Sequence, residues 1–268
     1  MQDNPLGRTA DYSKALDADD LFAVPRAEGR AAIDLPAPLP FHGVDLWTAY
    51  ELSWLDAAGR PDVAVLSVEI PADSPNLVES KSFKLYLNAF AMTRFESAGK
   101  VIDRVGEDLG KLCGSPVEAS IVSANDAGLN IRQMSGHNID RAAAHLTKYQ
   151  LDPGLLKTAT DEVAETLNSH LLRSVCPVTG QPDMGSILID YVGPRIDHGS
   201  LLAYLVSYRQ HADFHELCVE RIFNDLRNHC GCKQLTVYAR YNRRGGIDIN
   251  PFRSNMAAAP EPMRLWRQ

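Results

Sequence analysis

Cys176 stands just before Pro177 in the stretch SVCPVTGQPDMGS, and Asp183 follows after Gly180 and Pro182. A thiolate adds to electrophilic carbon better than any other common side chain, provided that its pKa is lowered. An acid beside it could protonate the atom that becomes negative as the thiolate adds. That acid must hold its proton near neutrality, which burial would favour by disfavouring the charged form. Two prolines and a glycine would stiffen the turn and preset thiol and acid around one small electrophile. The same residues also suit a plainer role: a buried cysteine at a strand end and an aspartate capping a turn.

Other stretches carry chemistry of a different kind. HADFHELCVERIF sets His215 and Glu216 side by side at the start of a helix. A glutamate can accept two parallel hydrogen bonds from a guanine-type edge, and a neighbouring histidine can shuttle a proton. The alternative is a first-turn glutamate favoured by the helix dipole, beside a solvated histidine. In NLVESKSFKLYLNAF, Glu79, Ser80, Lys81 and Ser82 precede a helix. Amides, hydroxyls and a lysine there suit a phosphate or a substrate edge, or form an N-cap with surface charges. YNRRGGIDINPF offers Arg243 and Arg244 beside Gly245 and Gly246, two guanidinium forks suited to phosphate, or a solvated hairpin turn. HCGC, His229 to Cys232, has no second ligand pair nearby, so it reads as a helix C-cap at Gly231 rather than a zinc site.

Hydrophobic periodicity supplies the elements that must hold these residues. LWTAYELSWLDAAGRPDVAVLSVEIPA reads as two strands around a turn at Gly59 to Asp62. Phe83, Tyr86, Leu87, Phe90 and Ala91 fall at helical spacing, as do Val101, Ile102, Val105, Leu109 and Leu112, and VEASIVSA follows as a strand. The second half repeats the order. EVAETLNSHLL and SILIDYVG are strands; Leu201, Leu202, Leu205 and Tyr208 mark one helix, and Val219, Ile222, Phe223 and Leu226 another. LTVYARY alternates as a strand, and GGIDINPF begins a last one. The pattern predicts an α+β chain of two tandem units, each an antiparallel sheet with paired helices on one face. An extended leader occupies residues 1–45; the modules span 46–148 and 149–268, the second carrying Cys176.

With 268 residues, 45% of them hydrophobic, either one large domain or two smaller ones could bury a core. A net charge of −7 argues against a nucleic-acid-binding surface. No apolar run is long enough to span a bilayer, and the N-terminus lacks a signal-peptide pattern. Five cysteines without framework spacing suggest reduced thiols and a cytoplasmic location. Neither G-x-G-x-x-G nor G-x-x-x-x-G-K-[ST] occurs, so a nucleotide would be held without a Rossmann or Walker loop.

ESKSFKLYLNAF, CPVTGQPDMGSI, FHELCVERIFNDL and YARYNRRGGIDINPFRSN occur in that order. Together they resemble the NADPH-dependent 7-cyano-7-deazaguanine reductases, the nitrile reductases of queuosine biosynthesis in tRNA modification, in their long two-module form. The likeness runs from about Trp47 to Asn255. It implies the tunnelling fold (T-fold) in two modules, a homodimer, no direct nucleic-acid partner, no membrane and no metal. It makes Cys176 the nucleophile that forms a covalent thioimidate, Asp183 the proton donor and His215 a further proton donor. Val78, Glu79, Ser80, His215 and Glu216 fall on substrate positions; Ser80, Lys81, Arg244 and Gly245 fall on positions that hold NADPH. The implied reaction takes the nitrile to 7-aminomethyl-7-deazaguanine and consumes two NADPH. Two alternatives compete: a zinc-dependent cyclohydrolase or pterin synthase on a similar scaffold, and a non-catalytic purine-binding module that keeps Glu216.

Overall fold

The first hairpin turns where Gly59 takes a φ of 86°, a left-handed conformation open to glycine at little cost. Asp56 Oδ1 accepts from the amides of Ala58 and Arg60 across that turn, both at 2.9 Å. The computed structural model describes residues 15–122, 130–261 and 263–268. The first fourteen residues of the expected leader, and Ser123 and Ala124 of the VEASIVSA strand, lie outside them.

In chain order the elements are β1 (Ala23–Pro25), α1 (Arg26–Ala31), β2 (His42–Leu55), β3 (Pro61–Pro71), β4 (Asn76–Val78), α2 (Ser80–Phe90), α3 (Ala98–Cys113) and β5 (Glu118–Val122). There follow β6 (Ile131–Arg132), β7 (His137–Asn138), β8 (Thr158–Val175), β9 (Pro182–Ile196), α4 (His198–Ser207), α5 (His215–Cys230), β10 (Gln234–Tyr241), β11 (Ile247–Ser254) and β12 (Arg264–Leu265). The repeated order of two strands, two helices and a strand is there in both halves. The ambiguous EVAETLNSHLL lies inside β8, a strand of 18 residues. Residues 15–45 are extended only in part: β1 pairs antiparallel with β4, and Arg26 at the start of α1 is buried with its guanidinium 2.5 Å from Asp45.

The chain forms two compact units that alternate along the sequence. One gathers residues 1–29, 45–126 and 243–248; the other gathers 30–44, 127–242 and 249–268. In the first unit the strand order is β5-β3-β2, with β3 and β5 antiparallel. Of the apolar faces read from periodicity, Phe83, Tyr86, Leu87 and Phe90 of α2 and Val101, Val105 and Leu109 of α3 are buried, whereas Ala91, Ile102 and Leu112 are half-buried. In the second unit the order is β11-β10-β9-β8-β7; β8, β9, β10 and β11 are antiparallel neighbours, and β7 pairs parallel to β8. Leu201, Leu202 and Leu205 of α4 are buried, as are Val219, Ile222, Phe223 and Leu226 of α5. The latter helix ends on Gly231 at φ 67°, the C-cap expected from the basic last turn and the glycine.

Candidate active site

Cys176 and Asp183 meet at the end of the β8–β9 hairpin. Ser174 stands directly across from Asp183, and the pairing continues one step further, where Cys176 donates its amide to Gln181 O at 2.9 Å. Side chains alternate along a strand. Ser174 and Cys176 therefore share a face of the sheet with Asp183, and all three are buried, while Pro182 and Met184 beside Asp183 are exposed. The loop from Pro177 to Pro182 is exposed, so the thiol sits just beneath a surface turn. Gly180, at φ 67°, returns its amide to Cys176 O at 3.0 Å and closes that turn.

The start of α5 is brought to this face by main-chain bonds. Val175 donates to His211 O at 2.9 Å, and Asp213 donates back to Val175 O at 3.2 Å. That clamp ties the segment before α5 to the last residue of β8. His215 and Glu216 then open the helix, both buried rather than solvated. His215 Nε2 lies 3.3 Å from Asp183 Oδ2. One turn along α5, Glu220 takes Arg30 through two bonds of 2.8 and 2.7 Å, and takes the guanidinium of Arg253 on β11 at 3.1 and 2.9 Å. Arg253 and Glu220 are both buried, an arrangement tolerable only because each charge is paired. The triad pins α5, and with it the positions of His215 and Glu216.

The sequence reading did not single out Tyr241 as a site residue. It pairs with Gly185 on β9, two residues from Asp183, and so lies on the same sheet face. Its ring stacks on His215 with centroids 4.0 Å apart and planes 19° apart. The alternation of LTVYARY marks Tyr241 as facing one side, but the histidine it meets is fixed only by the register of three strands.

Cys176 shares its burial with the other four cysteines. Desolvation pushes Cys218 well above its ordinary pKa, Cys230 up to about 11 and Cys232 up to about 12. Thiols held neutral in this way are poor nucleophiles. Among the described residues no three His, Cys, Asp or Glu side chains gather in a metal-binding group.

Val78, Glu79, Ser80, Lys81, Arg244 and Gly245 belong to the first unit, whereas Cys176, Asp183, His215 and Glu216 belong to the second. Val78 and Glu79 are buried. The carboxylate of Glu79 caps α2 by accepting the amides of Lys81 and Ser82, each at 2.8 Å. Ser80 and Lys81 begin the helix, partly exposed, with Lys84 one turn further on the same side. Arg244 to Ile247 form a tight turn in which both central glycines have positive φ, 59° at Gly245 and 79° at Gly246. This is the mirror-image turn that two glycines favour. The Lys84 side chain lies over that turn, its Cδ 3.0 Å from where a Cβ on Gly245 would stand. The Arg243 guanidinium rests 4.5 Å from the ring centre of Tyr50, whose hydroxyl donates to Asp248 at 2.7 Å. Lys84, also missed in the sequence, thus joins the arginine turn, as does Glu51, whose Cγ is 3.3 Å from where a Cβ on Gly246 would stand.

The chain is similar to known proteins along nearly its whole length. Residues 12–121 match a family model described as nitrile reductase, 7-cyano-7-deazaguanine-reductase N-term, and residues 182–260 match one described as QueF-like protein. The chain is 52% identical over 269 residues to the NADPH-dependent 7-cyano-7-deazaguanine reductase of Burkholderia lata, covering 99% of this chain and 98% of that one. It is 53% identical to the protein of the same name from Bordetella pertussis, covering 97% of this chain and 96% of the relative. The corresponding protein of Paraburkholderia xenovorans is 51% identical, with 100% of this chain and 99% of the relative covered.

Proposed function

This chain belongs to the NADPH-dependent 7-cyano-7-deazaguanine reductase family, and from that premise we propose that it reduces the nitrile of 7-cyano-7-deazaguanine to the primary amine in queuosine biosynthesis. The observation that carries the reading is the buried sheet face on which Cys176 neighbours Asp183, with His215 Nε2 3.3 Å from that acid.

In this reading the Cys176 thiolate adds to the nitrile carbon while Asp183 protonates the nitrile nitrogen, giving a thioimidate. The thiol proton that Cys176 gives up balances the one the nitrogen gains. NADPH supplies hydride to carbon, in two separate rounds. After the first round the thiolate leaves, and an imine remains. The second round makes the amine. The first round needs one proton to restore the departing thiolate to the thiol, the second needs one at nitrogen, and His215, in contact with Asp183, can supply it or restore the acid. Glu216 reads the paired donors of the deazaguanine edge, a site that would reject rings lacking them. Val78, Glu79 and Ser80 complete the substrate contacts. The cations of Lys81, Lys84, Arg243 and Arg244 fit the phosphates of NADPH, the side chain of Lys84 lying over Gly245 in support of that fit. Activation comes from the covalent bond and the proton donor, with no step assigned to a metal.

The finer architecture we propose is two tunnelling-fold modules, residues 46–148 and 149–268, behind a leader of residues 1–45, acting as a cytoplasmic homodimer. The element order repeated in the two halves supports the two modules.

The test withholds NADPH. Addition across the triple bond loses no atoms, so intact-mass spectrometry should find the protein heavier by the whole nitrile, with the label mapping between Ser174 and Ser186. NADPH oxidation on mixing with the nitrile should then yield the amine. Turnover without any adduct, at undiminished rate in Cys176→Ala, would replace covalent catalysis by direct hydride attack.

A further inference from the structure

Tyr241 is completely buried, with Ser174 as the hydrogen-bonding neighbour of its hydroxyl. Packing, main-chain bonds and that neighbour set its ring. The amide of Tyr241 donates to Asn250 Oδ1 at 3.2 Å, and its carbonyl accepts from Gln268 Nε2 at 3.1 Å. Beneath the ring, Gly185 leaves a slot: a Cβ there would stand 3.2 Å from Tyr241 Cε1 and 3.2 Å from Leu172 Cδ2. The ring is thus fixed before His215 meets it.

We propose that Tyr241 is a positioning residue for His215, its ring face setting the imidazole plane so that Nε2 lies 3.3 Å from Asp183 Oδ2. The inference rests on the role given to His215 above. An aromatic face attracts a cation, and more strongly where water is excluded. The phenol itself stays neutral, because burial, with Cys218 and Asp183 beside it, pushes it well above its ordinary pKa. It therefore acts through its π face and not as an acid. The ionisable groups on the elements that meet at His215 are Asp183 on β9, Cys176 at the end of β8, and His211 and Asp213 before α5. Glu216 and Cys218 lie on α5 itself. None of them presents a flat ring to the imidazole.

The experiment compares Tyr241→Phe, which keeps the ring, with Tyr241→Leu and Tyr241→Met, which lose it, in the full-length protein. The readouts are the NMR titration of the His215 Cε1–H signal, assigned with His215→Gln, and kcat and KM against pH. The phenylalanine variant should titrate as the unmodified protein does. The ring-free variants should titrate about half a pH unit lower or more, the size expected for a desolvated cation–π contact. A lower His215 pKa empties the protonated form sooner as pH rises. The alkaline limb of kcat should therefore move to lower pH, with KM for NADPH unchanged.

An unmoved His215 titration in Tyr241→Leu and Tyr241→Met overturns the proposal. So does an equal shift in Tyr241→Phe, which would make the hydroxyl the agent. If the titration shifts while turnover and its pH profile do not, the positioning role stands and the assignment of His215 as proton donor fails.

Discussion

The two tight turns that carry the candidate chemistry are built on opposite plans. The turn after β8 hides its working groups: Cys176 and Asp183 point into the protein while the loop from Pro177 to Pro182 is exposed. The turn before β11 displays them: Arg243 and Gly245 are exposed, and Lys84 lies over the backbone. A nucleophile and an acid need fixed geometry and little water, so that a small electrophile meets both at once. Cations for a charged co-substrate need access, and they work through charge more than through exact placement. The first plan should fail all at once when broken, and the second by degrees.

The largest effect is expected at the hidden turn. Cys176→Ala should lose at least about a thousandfold in kcat, because the covalent nucleophile is gone. Cys176→Ser should behave similarly, since a hydroxyl is far less nucleophilic without an activating base. Neither variant should form the nitrile adduct, and in the unmodified protein Cys218, Cys230 and Cys232 should remain unlabelled, because burial holds their thiols protonated. Peptide mapping that finds the label on any of those three would place the nucleophile elsewhere.

Next comes the anchor behind that turn. Glu220→Gln would leave Arg253, fully buried, without its charge partner, and should cost about 3–5 kcal/mol of stability. Denaturant unfolding measures it. Replacing Glu220, Arg253 and Arg30 together by apolar residues of similar volume should restore much of the loss, because the cost lies in stranding charge. A triple variant no more stable than Glu220→Gln would assign the triad a different role.

The displayed turn should give a graded response. Arg244→Ala should raise KM for NADPH about tenfold, the scale of one charge-assisted hydrogen bond. KM for the nitrile should move little. The NADPH constant should also rise with salt, because exposed charges are screened. Equal use of NADH and NADPH by the unmodified protein would remove the phosphate from this assignment.

These contrasts bear on what the amino-acid sequence could show. The faces of α3 and α5 were legible because their apolar residues recur at helical spacing, and most of those residues are buried, Ile102 and Leu112 of α3 being only half-buried. The C-cap at Gly231 followed from a glycine after a basic turn. The adjacency of Cys176 and Asp183 was legible because both lie in one hairpin. Other features depend on partners far apart in the chain. Glu220 reads as a surface helix charge, and only the fold brings Arg30 and Arg253 to it. Tyr241 meets His215 through strand register, which alternation alone does not set. The strands β6, β7 and β12, at two residues each, are too short for any period to appear.

The smallest effect compares one glycine from each turn. Gly180 and Gly245 both have positive φ, 67° and 59°. Alanine at either should therefore cost about 1–2 kcal/mol of backbone strain. Their surroundings differ. A Cβ on Gly180 meets nothing within 4 Å, whereas one on Gly245 stands 3.0 Å from Lys84 Cδ and 3.2 Å from its Cε. The lysine end is flexible and can move, so the added methyl should shift a cation rather than unfold the turn. Gly180→Ala and Gly245→Ala should then show similar falls in melting temperature. Only Gly245→Ala should raise KM for NADPH, by about two- to fivefold, less than the loss of a whole charge-assisted bond. Lys84→Ala should raise it as well, and adding Gly245→Ala to that variant should bring little further change, because the two act through one side chain. Independent, multiplying effects in the double variant would mean that the turn binds through its own backbone, and that Lys84 merely lies nearby.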